Sequence, residues 1–183
     1  ALKRKDSTIE NIKEIFSFYN MQNDFAKLKW VEGDILDFFS LEDVFNSNTI
    51  TEIYHCAALV SFEPKDHGNM YRVNMEGTAN LVNIALQYNI KKFCHVSSIA
   101  AIPGDGKEEI INEKVVWKSS PQHTAYAISK YGAEREVWRG TEEGLNAVII
   151  NPSVIIGPGD WNESSLSIFR TLSKGLKFYT SEA

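Results

Sequence analysis

Cysteine is scarce, basic residues are in the minority and no long hydrophobic run exists, and each shortage removes a class of protein. Two cysteines in 183 residues cannot build the disulfide framework that staples small secreted domains. Cys56 and Cys94 each lie in an apolar, strand-like stretch, IYHCAALV and KKFCHVSS. The expected state is therefore a buried, reduced thiol, and the expected compartment is the cytoplasm. No apolar run approaches the ~20 residues that span a bilayer and no secretory signal is visible, so no membrane partner is expected. Lys and Arg number 19 against 24 Asp and Glu, a net charge of −5, which leaves no footprint for nucleic acid. The four histidines show no HExxH or comparable spacing, so no metal site is expected. Without a secretion signal, the acceptor pattern Asn162-Glu163-Ser164 reads as chance.

What is present is the make-up of a globular domain, 43% hydrophobic and 23% charged. Strand-like apolar runs at 1–3, 28–31, 52–56, 92–96 and 147–150 alternate with helix-period segments at 8–20, 41–46, 70–88, 122–139 and 164–174. Short strands separated by helices predict βαβ units, hence an α/β fold with a parallel sheet and helices on both faces. Ligands in such folds bind beyond the carboxyl ends of the strands. The longest irregular stretch, 99–121, is a candidate functional loop.

Several strand ends carry suggestive residues. After HC come Ala57 and Ala58, whose small side chains admit either a flat ligand or a closely packed helix. After HV come Ser97 and Ser98, which serve either as turn and cap formers or as reactive hydroxyls. The segment TAYAISKYGAEREVW reads as a water-facing helix with Tyr126 and Lys130 on one face, because residues four apart stack along a helix. Alone, that pair reads first as a solvated lysine beside a half-buried tyrosine. Taken with the serine it suggests proton transfer coupled to hydride transfer. Free tyrosine has a pKa of about 10. An ammonium ~4 Å away attracts the phenolate by roughly 4 kcal/mol at an effective dielectric near 20, before desolvation, and so brings the phenol toward the neutral range. A serine hydroxyl would hold the reacting oxygen.

These segments, in this order, resemble the extended short-chain dehydrogenase/reductases, the group that holds sugar-nucleotide epimerases, dihydroflavonol reductases and hydroxysteroid dehydrogenases. The resemblance covers nearly the whole chain and implies a Rossmann-type doubly wound sheet. VEGDILD resembles the element that meets adenine, which assigns Asp34 and the backbone of Ile35 to the cofactor. HCAAL resembles the small-residue turn beside the cofactor, implicating Ala57, Ala58 and Leu59. RVNMEGTANLVNIAL is similar to the helix whose asparagine supports the active site, here Asn74. KKFCHVSSIA is similar to the strand ending in the catalytic hydroxyl and puts Ser98, not Ser97, in that place. AYAISKYGAE resembles the Tyr-Lys helix, so Tyr126 and Lys130 inherit both catalytic and cofactor-binding roles. NPSVIIGPGD resembles the segment beside the nicotinamide, implicating Pro152, Ser153 and Val154.

The chain departs from the family pattern at its front. None of its eleven glycines forms GxGxxG or GxxGxxG, the loop whose N–H groups approach the pyrophosphate. The alignment places Ala1 in the family's second strand, so the first strand, the Gly-rich loop and the first helix are expected to be absent. Most of the C-terminal substrate lobe is expected to be absent too. In the family order 3-2-1-4-5-6-7 that leaves strands two and three without a neighbour to join them to the rest. Residues 1–183 are thus expected to be a partial dinucleotide-binding domain, with the substrate-binding region starting near 157.

Arg4 and Lys5 stand at the tip of what aligns as the family's second strand, where arginine accommodates the 2′-phosphate of NADP and an acid binds the ribose of NAD. NADP is therefore favoured over NAD, although a shift of one or two residues would make Asp6 the ribose acceptor. The expected function is an NAD(P)-dependent oxidoreductase that reduces a carbonyl or oxidises an alcohol by Tyr-Lys-Ser chemistry. The alternative is a nucleotide-sugar epimerase or dehydratase with bound NAD. A non-catalytic dinucleotide-binding protein is the third reading, disfavoured because Tyr126 and Lys130 are both retained. The expected partner is a small-molecule substrate, with a homodimer admitted.

Overall fold

The computed structural model describes residues 1–61, 63–102, 112–159 and 166–175. The centre of the 99–121 stretch and the Asn162-Glu163-Ser164 pattern lie outside the described residues. In chain order the elements are β1 (Leu2–Lys3), α1 (Glu10–Phe18), α2 (Gln22–Phe25), β2 (Val31–Glu32), α3 (Phe38–Asn46), β3 (Glu52–His55), a 3₁₀ turn (Pro64–Asp66), α4 (His67–Tyr71), a π-helical turn (Arg72–Glu76), α5 (Gly77–Gln87), β4 (Lys92–Val96), a 3₁₀ turn (Ile99–Ala101), α6 (Ala125–Glu142), β5 (Ala147–Ile150) and α7 (Leu166–Ser173). The alternation expected from the sequence is present, and every strand pairing is parallel. The strands form two ladders, β1-β2 and β3-β4-β5.

Two compact units result. One takes in residues 2–5 and 31–153 and contains both ladders. The other takes in Ala1, residues 6–30 and the described residues from 154 onward. In the latter, Phe16 meets Phe25 edge-on at 5.6 Å and Phe25 lies 6.3 Å from Trp30, which ties α1 to α2.

Local chemistry sets the helix ends. Asp37 caps α3 by accepting from Ser40 N at 3.2 Å, and Thr124 caps α6 by accepting from Ala127 N at 3.1 Å. At the other end α1, α5 and α6 are followed by Asn20, Asn89 and Gly144, all in the left-handed region. The next residue then donates back into the last turn, as in Ile90 N to Ala85 O at 2.9 Å and Leu145 N to Gly140 O at 2.8 Å.

The core of the larger unit is one cluster, in which Phe93 of β4 packs with Leu41, Val82, Ile84, Val137 and Leu145. Each such side chain, fully buried, contributes about 1.5–3 kcal/mol. α6 is not the water-facing helix its polar residues suggest, since it buries eight residues, among them Lys130 and Glu134. Glycines let it approach so closely. A Cβ at Gly140 would sit 2.6 Å from Val82 Cγ1, whereas one at Gly132 would meet the Met75 side chain. Val82 has no exposed surface and cannot retreat, but Met75 is half-buried and flexible. Gly140→Ala is therefore expected to lower Tm despite its ~1 kcal/mol gain in helix propensity, and by more than Gly132→Ala. Thermal unfolding of the two variants checks the ranking.

The cysteine expectation needs correction. β3 stops at His55, one residue short of the expected end, and Cys56 is exposed. Cys94 is half-buried, and both thiols are free. Among the described residues no helix is long and apolar enough to cross a membrane, and no group of three or more His, Cys, Asp or Glu could hold a metal.

Candidate active site

In the three-stranded sheet, register sets β3, β4 and β5 side by side, so the residues just past one strand end lie beside those past the next. Cys56, Ala57 and Ala58 come after β3 and are exposed, with Leu59 half-buried beyond them. Ser97 and Ser98 come after β4, while Asn151, Pro152 and Ser153 come after β5. Backbone pairing continues past the strands, from Ser97 N to Ile150 O at 2.8 Å and from Ile99 N to Pro152 O at 3.1 Å. Ser98 is extended, with φ −160° and ψ 152°, and its Oγ accepts from Ala100 N at 3.2 Å. That Oγ keeps its own hydrogen to donate.

Lys130 lies across this edge. It is 2% exposed, which rules out a solvated lysine, and its Nζ donates to Val96 O at 2.9 Å. Burial pushes the ammonium down to about 8, with Glu134 and then Cys56 pulling it back up. No hydrogen bond joins it to the Tyr126 phenol among the described residues. Tyr126 is half-buried one turn earlier, and its hydroxyl has no hydrogen bond among the described residues. The reason is that a buried ammonium must find an acceptor, and the last carbonyl of β4 supplies one on the sheet side of the helix.

Asn74 supports both neighbours of this edge. Its Oδ1 accepts from Leu59 N at 2.7 Å, and its Nδ2 donates to Leu59 O at 2.9 Å and to Ser129 Oγ at 2.9 Å. Ser129 in turn donates to Tyr126 O at 2.8 Å. Asn74 is 1% exposed and sits within the π-helical turn, whose extra residue re-aims the side chain. One amide thus holds the Ala57–Leu59 turn and the first turn of α6 together.

Beneath lie two imidazoles the sequence reading does not single out, though His55 and His95 stand opposite each other in register. They are 3% and 1% exposed, with ring centroids 5.0 Å apart. His55 Nε2 lies 2.8 Å from Thr78 Oγ1, whose hydroxyl donates to Asn74 O at 2.6 Å. Neither His95 nitrogen has a partner among the described residues. Burial, aided by the Lys130 charge, holds His55 down at about 4. Burial, then His55, then Lys130 hold His95 down at about 3.

The remaining candidates belong to the two-stranded ladder. Arg4 and Lys5 come after β1, are exposed, and make no ion pair among the described residues. Asp34 comes after β2 and accepts from Leu36 N through Oδ1 at 2.9 Å. The Ile35 side chain is in the core and its carbonyl accepts from Asn80 Nδ2 at 2.8 Å, leaving its N–H as the group a ligand could meet. Val154 and Asp6 fall in the other compact unit.

A profile of the NAD dependent epimerase/dehydratase family matches residues 2–176. The chain belongs to this family. Among its relatives, a Synechocystis protein provisionally named a dihydroflavonol 4-reductase is 33% identical over 141 residues, covering 77% of this chain and 40% of that protein. Sterol demethylase protein B of Methylococcus capsulatus is 30% identical over 159 residues, covering 83% and 47%. The crystal structure of the Bordetella bronchiseptica enzyme WbmH in complex with NAD+ superposes with a TM-score of 0.67 at 25% identity, over 81% of this chain and 48% of that one. The chain thus spans less than half the length of these relatives. Family membership accounts for the parallel sheet. The family's enzymes are NAD-dependent, which directs attention to strand ends that could carry a dinucleotide.

Two polar residues at this edge escape the sequence reading altogether. Glu134, four residues past Lys130, and Asn151, just before Pro152, are joined at 2.6 Å. The spacing of four from Lys130 is the signal that could have found the first.

Proposed function

We propose that the protein is an NAD(P)-dependent oxidoreductase that interconverts a carbonyl and an alcohol on a small molecule. Tyr126 moves the proton, Ser98 holds the reacting oxygen and Lys130 sets the local charge. The observation that carries this reading is the burial of Lys130 at the end of β4, two residues before Ser98 and one helical turn after Tyr126. A buried ammonium weakens a fold, and such groups gather where chemistry needs them.

The residues present fit a dinucleotide. Exposed Arg4 and Lys5 suit a phosphate, Asp34 and the Ile35 N–H suit the adenine end, and exposed Ala57 and Ala58 put no bulk in the way. Leu59 would pack beside them, Lys130 and Tyr126 would reach the ribose, and Pro152 and Ser153 would lie beside the nicotinamide. The segment from about 157 is read as the start of the substrate-binding region. When bound, the dinucleotide supplies or takes a hydride. In reduction Tyr126 gives its proton to the carbonyl oxygen while the Ser98 hydroxyl holds that oxygen and stabilises its growing negative charge. In oxidation the phenolate takes the alcohol proton back.

Incubation with NADPH and a panel comprising a dihydroflavonol, a 3-ketosteroid and UDP-glucose tests the assignment. Consumption of NADPH with a carbonyl compound supports it. Interconversion of the nucleotide sugar without net consumption favours the second reading, an epimerase or dehydratase, which the family description also covers.

NADP is proposed as the preferred dinucleotide. Arg4→Ala should weaken NADP binding roughly 10-fold or more, the scale of one charged hydrogen bond, and leave NAD binding nearly unchanged. Fluorescence titration with both dinucleotides reads this. Equal weakening, or a parent protein that prefers NAD, would count against NADP.

A further inference from the structure

We infer that Asn151 and Glu134 are a positioning pair that fixes the Ser98 backbone relative to the helix bearing Tyr126 and Lys130. The inference rests on the roles proposed above for Ser98 and Tyr126. Asn151 Nδ2 donates to Ser98 O at 3.0 Å and to Glu134 Oε1 at 2.6 Å. Both partners are acceptors, so the amide has one sensible orientation, with its two hydrogens committed and its oxygen turned away. The side chain thereby joins three elements, namely the end of β5, the loop after β4 and the middle of α6.

The backbone bonds around Ser98 do a different job. Ser97 N to Ile150 O, Ile99 N to Pro152 O and Ala101 N to Ser98 O fix the loop within the sheet and its own turn. None of them reaches α6. Links from this strand end to the helix come from Lys130 on Val96 O and from Asn151 on Glu134. A hydroxyl on the loop and a phenol on the helix must meet the same substrate oxygen, and such constellations tolerate only about 0.5 Å of error. Glu134 is 4% exposed, so a carboxylate there has to be held by donors. A charge-assisted bond of this length to a half-buried amide is a stiff connection. The same carboxylate is the leading influence keeping the Lys130 ammonium charged against burial.

Three variants of the full-length protein test the pair, with Tyr126→Phe as a control, using the panel member that the parent turns over. Asn151→Ala is expected to lower kcat roughly 10- to 100-fold, the scale of a misplaced reacting group, with NADPH affinity within about 2-fold of the parent on titration. Amide exchange at Ala101, which donates to Ser98 O, should quicken while that of Phe93 in the core does not. Asn151→Asp sets two carboxylates against each other and should lose Tm. Adding Glu134→Gln restores a donor on the helix side, so the double variant should regain Tm while its kcat stays low, because Ser98 O still faces a carboxylate. Parental kcat in Asn151→Ala, or kcat regained together with Tm in the double variant, overturns the inference. Should Tyr126→Phe keep parental turnover, or no panel member react, the functional reading itself fails and the inference with it.

Discussion

Tyr126→Phe is expected to lower turnover by about 10² or more, the usual contribution of a positioned acid or base, while the dinucleotide still binds. The structure makes this a clean experiment. The Tyr126 hydroxyl bonds to nothing among the described residues, and the residue is fixed instead through its backbone carbonyl, held by Ser129. Phe keeps the ring and that carbonyl, so folding should be unchanged. Lys130→Ala must behave otherwise. It strips the donor from Val96 O and opens a cavity at a side chain 2% exposed, so Tm, dinucleotide affinity and rate should all fall. Steady-state kinetics, dinucleotide titration and thermal unfolding on the two variants separate the roles. Near-parental turnover in Tyr126→Phe would reduce the helix to an ordinary one.

Acid is expected to unfold the protein through the paired imidazoles. Both rings are neutral in the fold, with pKa values pressed from 6.5 to about 4 for His55 and about 3 for His95. The unfolded chain therefore binds protons that the native state refuses as pH falls below about 6.5. The stability these groups contribute is whole above that pH and is lost progressively toward pH 4 and then 3. For His55 alone the shift corresponds to about 3 kcal/mol. Carboxylates titrate in the lower part of the same window, so the readout is a comparison with His95→Leu. Urea unfolding at pH 7, 5.5 and 4.5 should show the parent losing stability more steeply than the variant. Identical slopes would show that His95 is not a neutral buried ring.

The broad architecture was legible because parallel crossovers leave a strong trace. Runs at 92–96 and 147–150 coincide with β4 and β5, which turn Phe93, Ala147 and Ile149 toward the core. Errors fell where pairing rather than composition decides. The run at 28–31 gave way to β2 at Val31–Glu32, because register against β1 sets Leu2 opposite Val31. Cys56 came out exposed because β3 ended one residue early, at His55, with an exposed turn beyond it. The spacing of Tyr126 and Lys130 was readable, since helical periodicity is local. The ammonium's choice of Val96 O was not, for it depends on a strand thirty-four residues away in sequence. Likewise nothing local announces the π-helical turn that turns Asn74 toward Leu59, nor the bond between Glu134 and Asn151.

The Asn74 network also has a polarity. Thr78 has a single hydroxyl hydrogen, committed to Asn74 O at 2.6 Å, so toward His55 its oxygen can only accept and the imidazole must present hydrogen on Nε2. Further on, the Asn74 amide spends both hydrogens, and Ser129 passes its own to the backbone carbonyl of Tyr126 rather than to the phenol. The row is a fixed string of dipoles, interrupted at Asn74 by an amide that does not relay protons. It can hold the helix in place but cannot serve as a wire, so a phenol that has given up its proton is not recharged from the buried histidines.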